Sequence, residues 1–172
     1  MDEVATRAIA EDRVLSAVFK YWRSKLGGRA MPRRADIDPT EIPHLLPHLQ
    51  LVERVGARYR YRLAGTAIVA AYGGELTGKF VDEVLPPPRR AVAEHHYKMV
   101  FTMKRPIFVR HTYTTTRAVD VVASRVIMPL SEDGVAVSMA VMAQTFAYGA
   151  LVPASIGGDT TLAPDSGEVE LL

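Results

Sequence analysis

The stretch VDVVASRVIMPLSEDGVAVSMAVMAQTF, residues 119–146, decides the fold of this chain. It contains two long runs rich in β-branched residues, 119–130 and 135–146, around the turn sequence Ser-Glu-Asp-Gly, which predicts two antiparallel strands. The second run has no charged residue on either face, so we expect it to be a central strand of the sheet. The first part of one face carries only small side chains, at Ala136, Ser138 and Ala140. A helix can approach such a face closely.

An amphipathic helix is predicted over residues 5–26, and Gly27 with Gly28 ends it. Its apolar stripe includes four large residues spaced to lie on one side of a helix: Leu15, Val18, Phe19 and Trp22. We predict that this helix covers the small face of the last strand, from its own subunit or from a partner. It is therefore our candidate for the element that couples the sheet to a dimer contact.

Between this helix and the last strands the sequence predicts a proline-rich connection, a β-hairpin and a group of helices. Two strand-like runs, 48–55 and 58–64, surround a turn that contains Gly56. The remaining predicted elements are helices at 67–72, 80–85 and 89–104 and a strand at 107–116. Strands in two runs with helices gathered between them predict an α+β fold, an antiparallel sheet with helices on one face.

The composition is that of a soluble globular domain and excludes several kinds of site. With 172 residues, 48% of them hydrophobic and 23% charged, the chain can bury one substantial core. It has no cysteine, which excludes disulfides, thiolate zinc sites and cysteine nucleophiles. The N-terminus lacks the pattern of a signal peptide, and no apolar run approaches the roughly 20 residues of a membrane span. We therefore expect a cytoplasmic protein with no membrane contact.

The charge distribution argues against nucleic acid as a partner. The formal net charge is +2, and the basic residues are spread along the chain without the clustered face that nucleic acid binding needs. Residues 148–172 contain four acidic residues and no Lys or Arg, together with several Gly, Pro and Thr. We predict a flexible acidic tail there.

The order of these elements resembles that of a PAS sensory domain, most closely the compact PAS-like family widespread in alphaproteobacteria. The resemblance rests on Trp22 and on four short blocks: PRRADIDP at 32–39, YRLAGT at 61–66, ELTG at 75–78 and MPLS at 128–131. It implies a PAS-like five-stranded antiparallel sheet in the order 2-1-5-4-3, with the helices forming one wall of a small pocket. The N-terminal amphipathic helix is extra to that pattern.

The same resemblance implies a division of the chain and a role. Residues 1–28 are the N-terminal helix that contacts a partner or caps the sheet, 29–147 are the PAS-like domain, and 148–172 are the tail. The role it implies is a stand-alone sensory or regulatory module in signal transduction, usually a homodimer, that binds a small ligand or a signalling protein and has no catalytic activity. A structural adaptor without a ligand pocket is the alternative.

His96 is the titratable group of greatest interest. Helical spacing places four residues on the face turned toward the sheet, namely Val92, His96, Met99 and Met103. His96, the adjacent Tyr97 and Met99 are therefore candidate ligand-binding residues. In haem-binding PAS domains a histidine in this region supplies the axial ligand, so haem is an alternative, although we favour a buried histidine with a hydrogen-bond partner. The cofactor is left open.

Two further candidates lie on the strand at 107–116 and one lies on the hairpin. His111 and Tyr113 share a face with Ile107 and Val109 and could line the pocket. Arg62 is the last of three arginines that alternate with apolar residues along an edge strand, and it stands nearest the turn. It could reach an acidic partner or an anionic ligand.

The sequence offers little for catalysis or metal binding. It has no nucleophile elbow, phosphate-binding loop or dinucleotide fingerprint. His44 and His48 have the spacing of a zinc pair, but Pro47 interrupts the helical register and no third ligand is near. We therefore predict no catalytic residues and no metal. A small acid/base enzyme that uses His96 with Asp36 or Asp82 is the less favoured alternative.

Overall fold

An antiparallel sheet forms the centre of the computed structural model, which describes residues 9–114, 119–149 and the backbone of 168–171. Its strands within those residues are β1 (Leu49–Val55), β2 (Arg58–Ala64), β3 (Ile107–Thr114), β4 (Asp120–Leu130), β5 (Met139–Tyr148) and β6 (Glu168–Leu171). Their order is β2-β1-β5-β4-β3-β6. The predicted α+β fold, with its first five strands in the order 2-1-5-4-3, is confirmed.

The sequence analysis does not predict β6, which pairs antiparallel with β3 from Ile107 to Arg110. This strand lies within the segment 148–172, predicted as a flexible acidic tail. Without it, β3 would expose a row of unpaired backbone N–H and C=O groups at the edge of the sheet. Charged and apolar residues alternate along Glu168–Leu171, which suits a strand. Outside the described residues lie 1–8, 115–118, 150–167 and 172.

The helices pack on both faces of the sheet. Those bounded within the described residues are α1 (Arg13–Ser24), α2 (Thr66–Tyr72), α3 (Val81–Val84) and α4 (Pro87–Met103). The proline-rich connection forms three short 3₁₀-helices, Arg34–Asp36, Pro39–Glu41 and Pro43–His48. An α-helix does not form there because each proline removes a backbone N–H group that its hydrogen bonds need.

Each face of the sheet has its own apolar core. On the face that we call inner, α2 to α4 cover the sheet, and Tyr97 and Val100 belong to one cluster with Ile107, Ile127 and Met142. On the outer face α1 packs against β4 and β5. The outer cluster includes Leu15, Val18, Trp22, Val126, Met128, Val141 and Ala143. Successive residues of one strand therefore serve different cores.

The N-terminal helix is interrupted where the sequence predicts one helix over residues 5–26. The α1 helix begins immediately after Asp12, whose carboxylate accepts hydrogen bonds from the backbone N–H groups of Val14 (2.9 Å) and Leu15 (3.0 Å). This is the arrangement of an N-cap, which fixes the start of a helix. Within the described residues, the single long helix is thus corrected to helical residues at 9–11, a break at Asp12 and then α1, while positions 5–8 of the predicted helix lie outside those residues.

The predicted apolar stripe of α1 faces the sheet of its own chain. Leu15, Val18 and Trp22 are buried, and Phe19 is half-buried with its ring 6.3 Å from that of Trp22. The indole Nε1–H of Trp22 donates to the carbonyl oxygen of Pro129 at 3.0 Å. The stripe therefore holds α1 against β4, and its role in a dimer stays a prediction.

The strand β5 begins at Met139, later than the predicted start at Val135. One carboxylate oxygen of Asp133 accepts hydrogen bonds from the backbone N–H groups of Val135 and Ala136, both at 2.8 Å. These bonds extend the turn. Residues 135–138 consequently lie outside the strand.

The prediction that α1 covers the small face of β5 is wrong. Ala140, the one small residue of that set within the strand, belongs to the inner cluster with Met142. The α1 helix instead covers the opposite face, with Val141 and Ala143. The reason is that the small face ends at Ala140, because Met142 and Gln144 continue it along β5.

Gly65 fixes the exit of β2 against the last 3₁₀-helix. A Cβ atom at this position would lie 2.1 Å from the backbone oxygen of Leu46 and 2.3 Å from that of Pro47. The Gly65 N–H donates to the carbonyl oxygen of Leu49 at 2.8 Å. Close approach of two backbones therefore requires glycine here, and it positions α2 over the inner face.

Candidate functional site

A cluster of polar side chains lies on the inner face of the sheet, under the helices. We call it the Arg125 cluster, and its members are Gln50, His96, His111, Arg125 and Gln144. Gln50, Gln144, His96 and Arg125 are between 0% and 4% exposed, and His111 is half-buried with its Nδ1 atom fully buried. So much buried polarity in one place is unusual, because charged and amide side chains rarely lie in a protein core without partners.

Strand register brings the cluster together. Gln144 of β5 lies directly opposite Arg125 of β4, so their side chains are neighbours on one face. Gln50 of β1 lies opposite Met142 of β5, and Gln144 is the next residue of β5 on the same face. On β3, Val109 lies opposite Arg125, and His111 is the next residue of β3 on the same face. Three other members of the cluster thus come from three different strands and share the inner face with Arg125.

His96 reaches the cluster from α4. The Arg125 Nη2 atom donates to His96 Nδ1 at 2.7 Å. An arginine can only donate, so Nδ1 must be unprotonated and the neutral ring carries its hydrogen on Nε2. Burial, and after it the Arg125 charge, lower the pKa of His96 to about 3. His96 is thus a neutral acceptor that orients the guanidinium.

His111 is a second neutral histidine in the cluster. Burial and then the Arg125 charge lower the pKa of His111 to about 3. Its ring stacks on Tyr113 with centroids 5.9 Å apart. The guanidinium of Arg89, from α4, lies 5.5 Å from the Tyr113 ring and 5.3 Å from the Tyr72 ring. Aromatic side chains and Arg89 therefore border the cluster on the side of His111.

Tyrosines form the other border. The rings of Tyr59 and Tyr97 are 5.2 Å apart, and that of Phe101 lies 5.5 Å from Tyr59. Burial raises the pKa values of Tyr61 and Tyr97 above their ordinary value, so both hydroxyls keep their protons. These tyrosines add uncharged hydroxyl groups to an otherwise apolar wall.

The Arg125 cluster is chemically incomplete. Five buried side-chain atoms have no hydrogen-bond partner in the described residues: both amide atoms of Gln50, the amide oxygen of Gln144, His111 Nδ1 and Arg125 Nε. No carboxylate of that part of the chain pairs with Arg125. An unpaired buried polar atom costs about 1–3 kcal/mol, and a buried charge without a partner costs more. The cluster can therefore accept a group that supplies the missing partners.

Four predicted site residues lie together in or beside the cluster: His96, Tyr97, His111 and Tyr113. Met99, by contrast, is half-buried, and Met103 is 41% exposed. The buried residues of α4 are Ala93, His96, Tyr97, Val100 and Phe101. The predicted face, with Val92, Met99 and Met103, is therefore rotated by about one position, because Phe101 packs against Tyr59 and turns the helix.

Arg62 does not join the cluster. It is exposed, with Nη1 3.8 Å from a carboxylate oxygen of Glu53, and Arg60 bonds the same carboxylate at 2.6 Å. Alternation along β2 sends Tyr61 inward and its two arginine neighbours outward. The candidate assignment of Arg62 to the ligand site is corrected accordingly.

The metal and acid/base alternatives gain no support from the geometry. His44 and His48 lie on a 3₁₀-helix, in which residues four apart point about 120° away from each other. No group of three His, Cys, Asp or Glu able to hold a metal occurs in the residues that the structure describes. Asp36 bonds Arg29 at 2.7 Å and Asp82 bonds Arg58 at 2.8 Å, and neither bonds His96.

Sequence reasoning missed Gln50, Arg125 and Gln144. A signal was present, because each is a large polar residue beside apolar residues in a predicted strand: Leu-Gln-Leu, Ser-Arg-Val-Ile and Met-Ala-Gln. The sequence predicts a strand at each of the three positions, but it does not give the strand register that makes them neighbours. A lone arginine inside a predicted central strand is the strongest of these signals.

Comparison with known proteins agrees with this architecture. A family model described as PAS domain matches residues 11–142, a segment that includes α1, the strands β1 to β4 and the start of β5. No curated protein matches the chain. Within the described residues, no helix is long and apolar enough to cross a membrane. The match spans most of the chain, which therefore belongs to the PAS domain family.

Proposed function

We propose that this chain is a sensory or regulatory module that binds a small molecule at the Arg125 cluster. The observation that carries the proposal is the set of five buried side-chain atoms without partners around one guanidinium. A ligand with polar groups would supply those partners. In this proposal the module has no catalytic step of its own, and its output passes to a partner or across a homodimer contact.

The alternative of a structural adaptor fits the inner face less well. An adaptor needs only a stable core, and replacing buried charged groups with apolar side chains of similar volume is often neutral or stabilising. The Arg125 cluster does the opposite, because it places an arginine, two glutamines and two histidines where Ile127 and Met142 are neighbours. Polar groups that cost stability favour a binding role.

A route from the cluster to α1 supports a regulatory output. Gln144 points to the inner face, and the next residue, Thr145, points to the outer face. The hydroxyl of Thr145 donates to the carboxylate of Asp12 at 2.6 Å, and that same carboxylate caps α1. A ligand that moves Gln144 would therefore move the β5 backbone beside the N-cap of α1.

Native mass spectrometry of freshly purified full-length protein tests the binding role. We expect a species heavier than the chain by the mass of a small organic molecule, and its release on mild heating. If the protein is ligand-free, a thermal-shift screen against a metabolite library should find compounds that raise Tm. No added mass and no stabilising compound would favour the adaptor.

A further inference from the structure

We propose that the ligand of the Arg125 cluster is a small monocarboxylic acid whose carboxylate binds the guanidinium of Arg125. This inference rests on the proposed binding role and names its chemistry. The first step is the charge. Arg125 is 4% exposed, and no carboxylate of the described residues pairs with it. Its Nε–H has no acceptor.

The second step is that the cluster carries one positive charge. The Arg125 Nη2 hydrogen bond goes to His96 Nδ1 at 2.7 Å, which keeps that ring neutral. His111 Nδ1 is buried without a partner, and burial lowers the pKa of His111 to about 3. A single negative charge therefore neutralises the guanidinium of Arg125.

The third step is geometric. A guanidinium is a planar fork that matches the two oxygens of a carboxylate. The His96 hydrogen bond holds that fork on the inner face, where Nε–H is free to donate. The arrangement is therefore organised for a planar monoanion before the ligand arrives.

The fourth step concerns the rest of the ligand. The amide oxygens of Gln50 and Gln144 lack donors, and Gln144 lies directly opposite Arg125. A hydroxyl or N–H group close to the carboxylate would meet the Gln144 oxygen. A hydroxy acid satisfies more of the cluster than a plain alkyl acid of the same size.

Formate is the first probe, because it is the smallest carboxylate and its binding does not depend on the body of the ligand. Full-length protein is titrated with sodium formate at constant ionic strength, with chloride as the balancing salt. We expect Tm to rise by about 2–4 °C at saturation. Formamide, which has the same shape without the charge, should leave Tm unchanged. An equal response to formamide, or no response to formate, overturns the assignment.

The matched variants are Arg125→Met and Arg110→Met. Arg110 lies on β3, on the outer face, and donates to Ser124 Oγ at 3.3 Å. We expect Arg125→Met to abolish the formate response and to change the Tm of the ligand-free protein little, since it removes a buried cation that has no carboxylate partner in the described residues but also leaves His96 Nδ1 without its donor. Arg110→Met should keep the response. A formate response that survives in Arg125→Met, or a ligand-free Arg125→Met protein that is strongly destabilised, overturns the proposal.

Glycolate and acetate test the neighbouring acceptor, the amide oxygen of Gln144. They share a carboxylate and differ by one hydroxyl, so we expect glycolate to bind roughly 5–10-fold more tightly. Gln144→Leu should remove that difference while formate still raises Tm. Equal binding of the two acids overturns the hydroxyl part of the assignment.

The outcomes also separate this inference from the proposed function. A neutral or cationic molecule found by native mass spectrometry, together with no formate response, keeps the binding role and removes the carboxylate. Absence of both a bound mass and any stabilising compound contradicts the binding role itself.

Discussion

The outer and inner faces of the sheet treat their buried polar groups differently. On the outer face, the Trp22 indole N–H meets the Pro129 carbonyl oxygen at 3.0 Å and Thr145 meets Asp12 at 2.6 Å. On the inner face lie all five buried side-chain atoms for which the described residues provide no partner. Each such atom costs about 1–3 kcal/mol. The chain therefore supplies hydrogen-bond partners for these outer-face groups and leaves the five inner-face atoms without them.

Under the proposed function, this contrast separates stability from ligand binding within one sheet. The α1 helix and the outer core hold the fold together, and they do so with satisfied hydrogen bonds and large apolar side chains. The inner face has its own apolar cluster, but the unpaired polar atoms of the Arg125 cluster reduce its contribution to the stability of the fold. The four predictions that follow test the two faces, from the largest expected effect to the smallest.

Trp22→Ala tests the outer face and has the largest expected effect. It removes a 4% exposed ring and leaves the Pro129 oxygen without its donor, so we expect the free energy of unfolding to fall by about 3–5 kcal/mol. Urea denaturation measures it. Phe19→Ala, at the half-buried neighbouring ring, is the control and should cost less than about 2 kcal/mol. A Trp22 effect no larger than the control would contradict the importance given to this contact.

Acid should weaken the inner face through its two histidines. Burial lowers the pKa values of both His96 and His111 to about 3 in the folded state, with Arg125 acting on both rings, His95 on His96 and Arg89 on His111. Their unfolded pKa is near 6.5. Between those values the unfolded chain binds protons that the folded chain does not. Stability is therefore complete above pH 6.5 and falls as the pH drops below it.

The expected slope approaches about 1.4 kcal/mol per pH unit for each histidine. Urea denaturation at pH 7.5, roughly 6 and roughly 5 measures it, a range in which the exposed carboxylates remain mostly ionised. His96→Gln should remove about half of the slope. Thr102→Ala, at an exposed position on the same helix, removes no titratable group; it is the control and should leave the slope unchanged. A wild-type slope near zero would sink the assignment of neutral buried rings.

Gln50→Leu and Ser131→Ala compare an unsatisfied buried polar residue with a satisfied one. Gln50 is 0% exposed and both amide atoms lack partners in the described structure, so ligand-free Gln50→Leu should be more stable by about 1–2 kcal/mol. Ser131, 1% exposed, donates to the carbonyl oxygen of Ala136 at 2.6 Å, and Ser131→Ala should cost about 1 kcal/mol. Chemical denaturation of both ligand-free variants measures the pair. Destabilisation by Gln50→Leu would argue that the inner face is already complete.

Thr145→Val tests the link between the faces and has the smallest expected effect on stability. It keeps the side-chain shape and removes the hydroxyl that donates to Asp12 at 2.6 Å, so the loss should be about 0.5–1 kcal/mol. Hydrogen exchange measured by mass spectrometry should show faster exchange at the start of α1. Thr112→Val, on β3 and on the same face, is the control. Unchanged exchange in Thr145→Val would remove this route of coupling.

The sequence predicted much of the fold and part of the candidate site. Periodicity located the strands and helices, and His96, Tyr97, His111 and Tyr113 were found in or beside the cluster. The helix face with Met99 was rotated, because ring packing between Phe101 and Tyr59 sets the orientation of α4. Arg62 was misplaced because its pairing with Glu53 depends on the register of the hairpin.

By itself, the sequence determined the alternation of β1 to β5, the apolar stripe of α1 and the absence of thiol chemistry, since these depend only on residue type and local spacing. The tertiary structure alone decided that Gln50, His96, His111 and Gln144 would gather with Arg125 at the inner face of the sheet. The reason is that strand register and helix docking, which are set by packing over the whole core, bring together side chains from five separate elements. It also decided which of them are left without partners, and that difference separates a core residue from a candidate ligand contact.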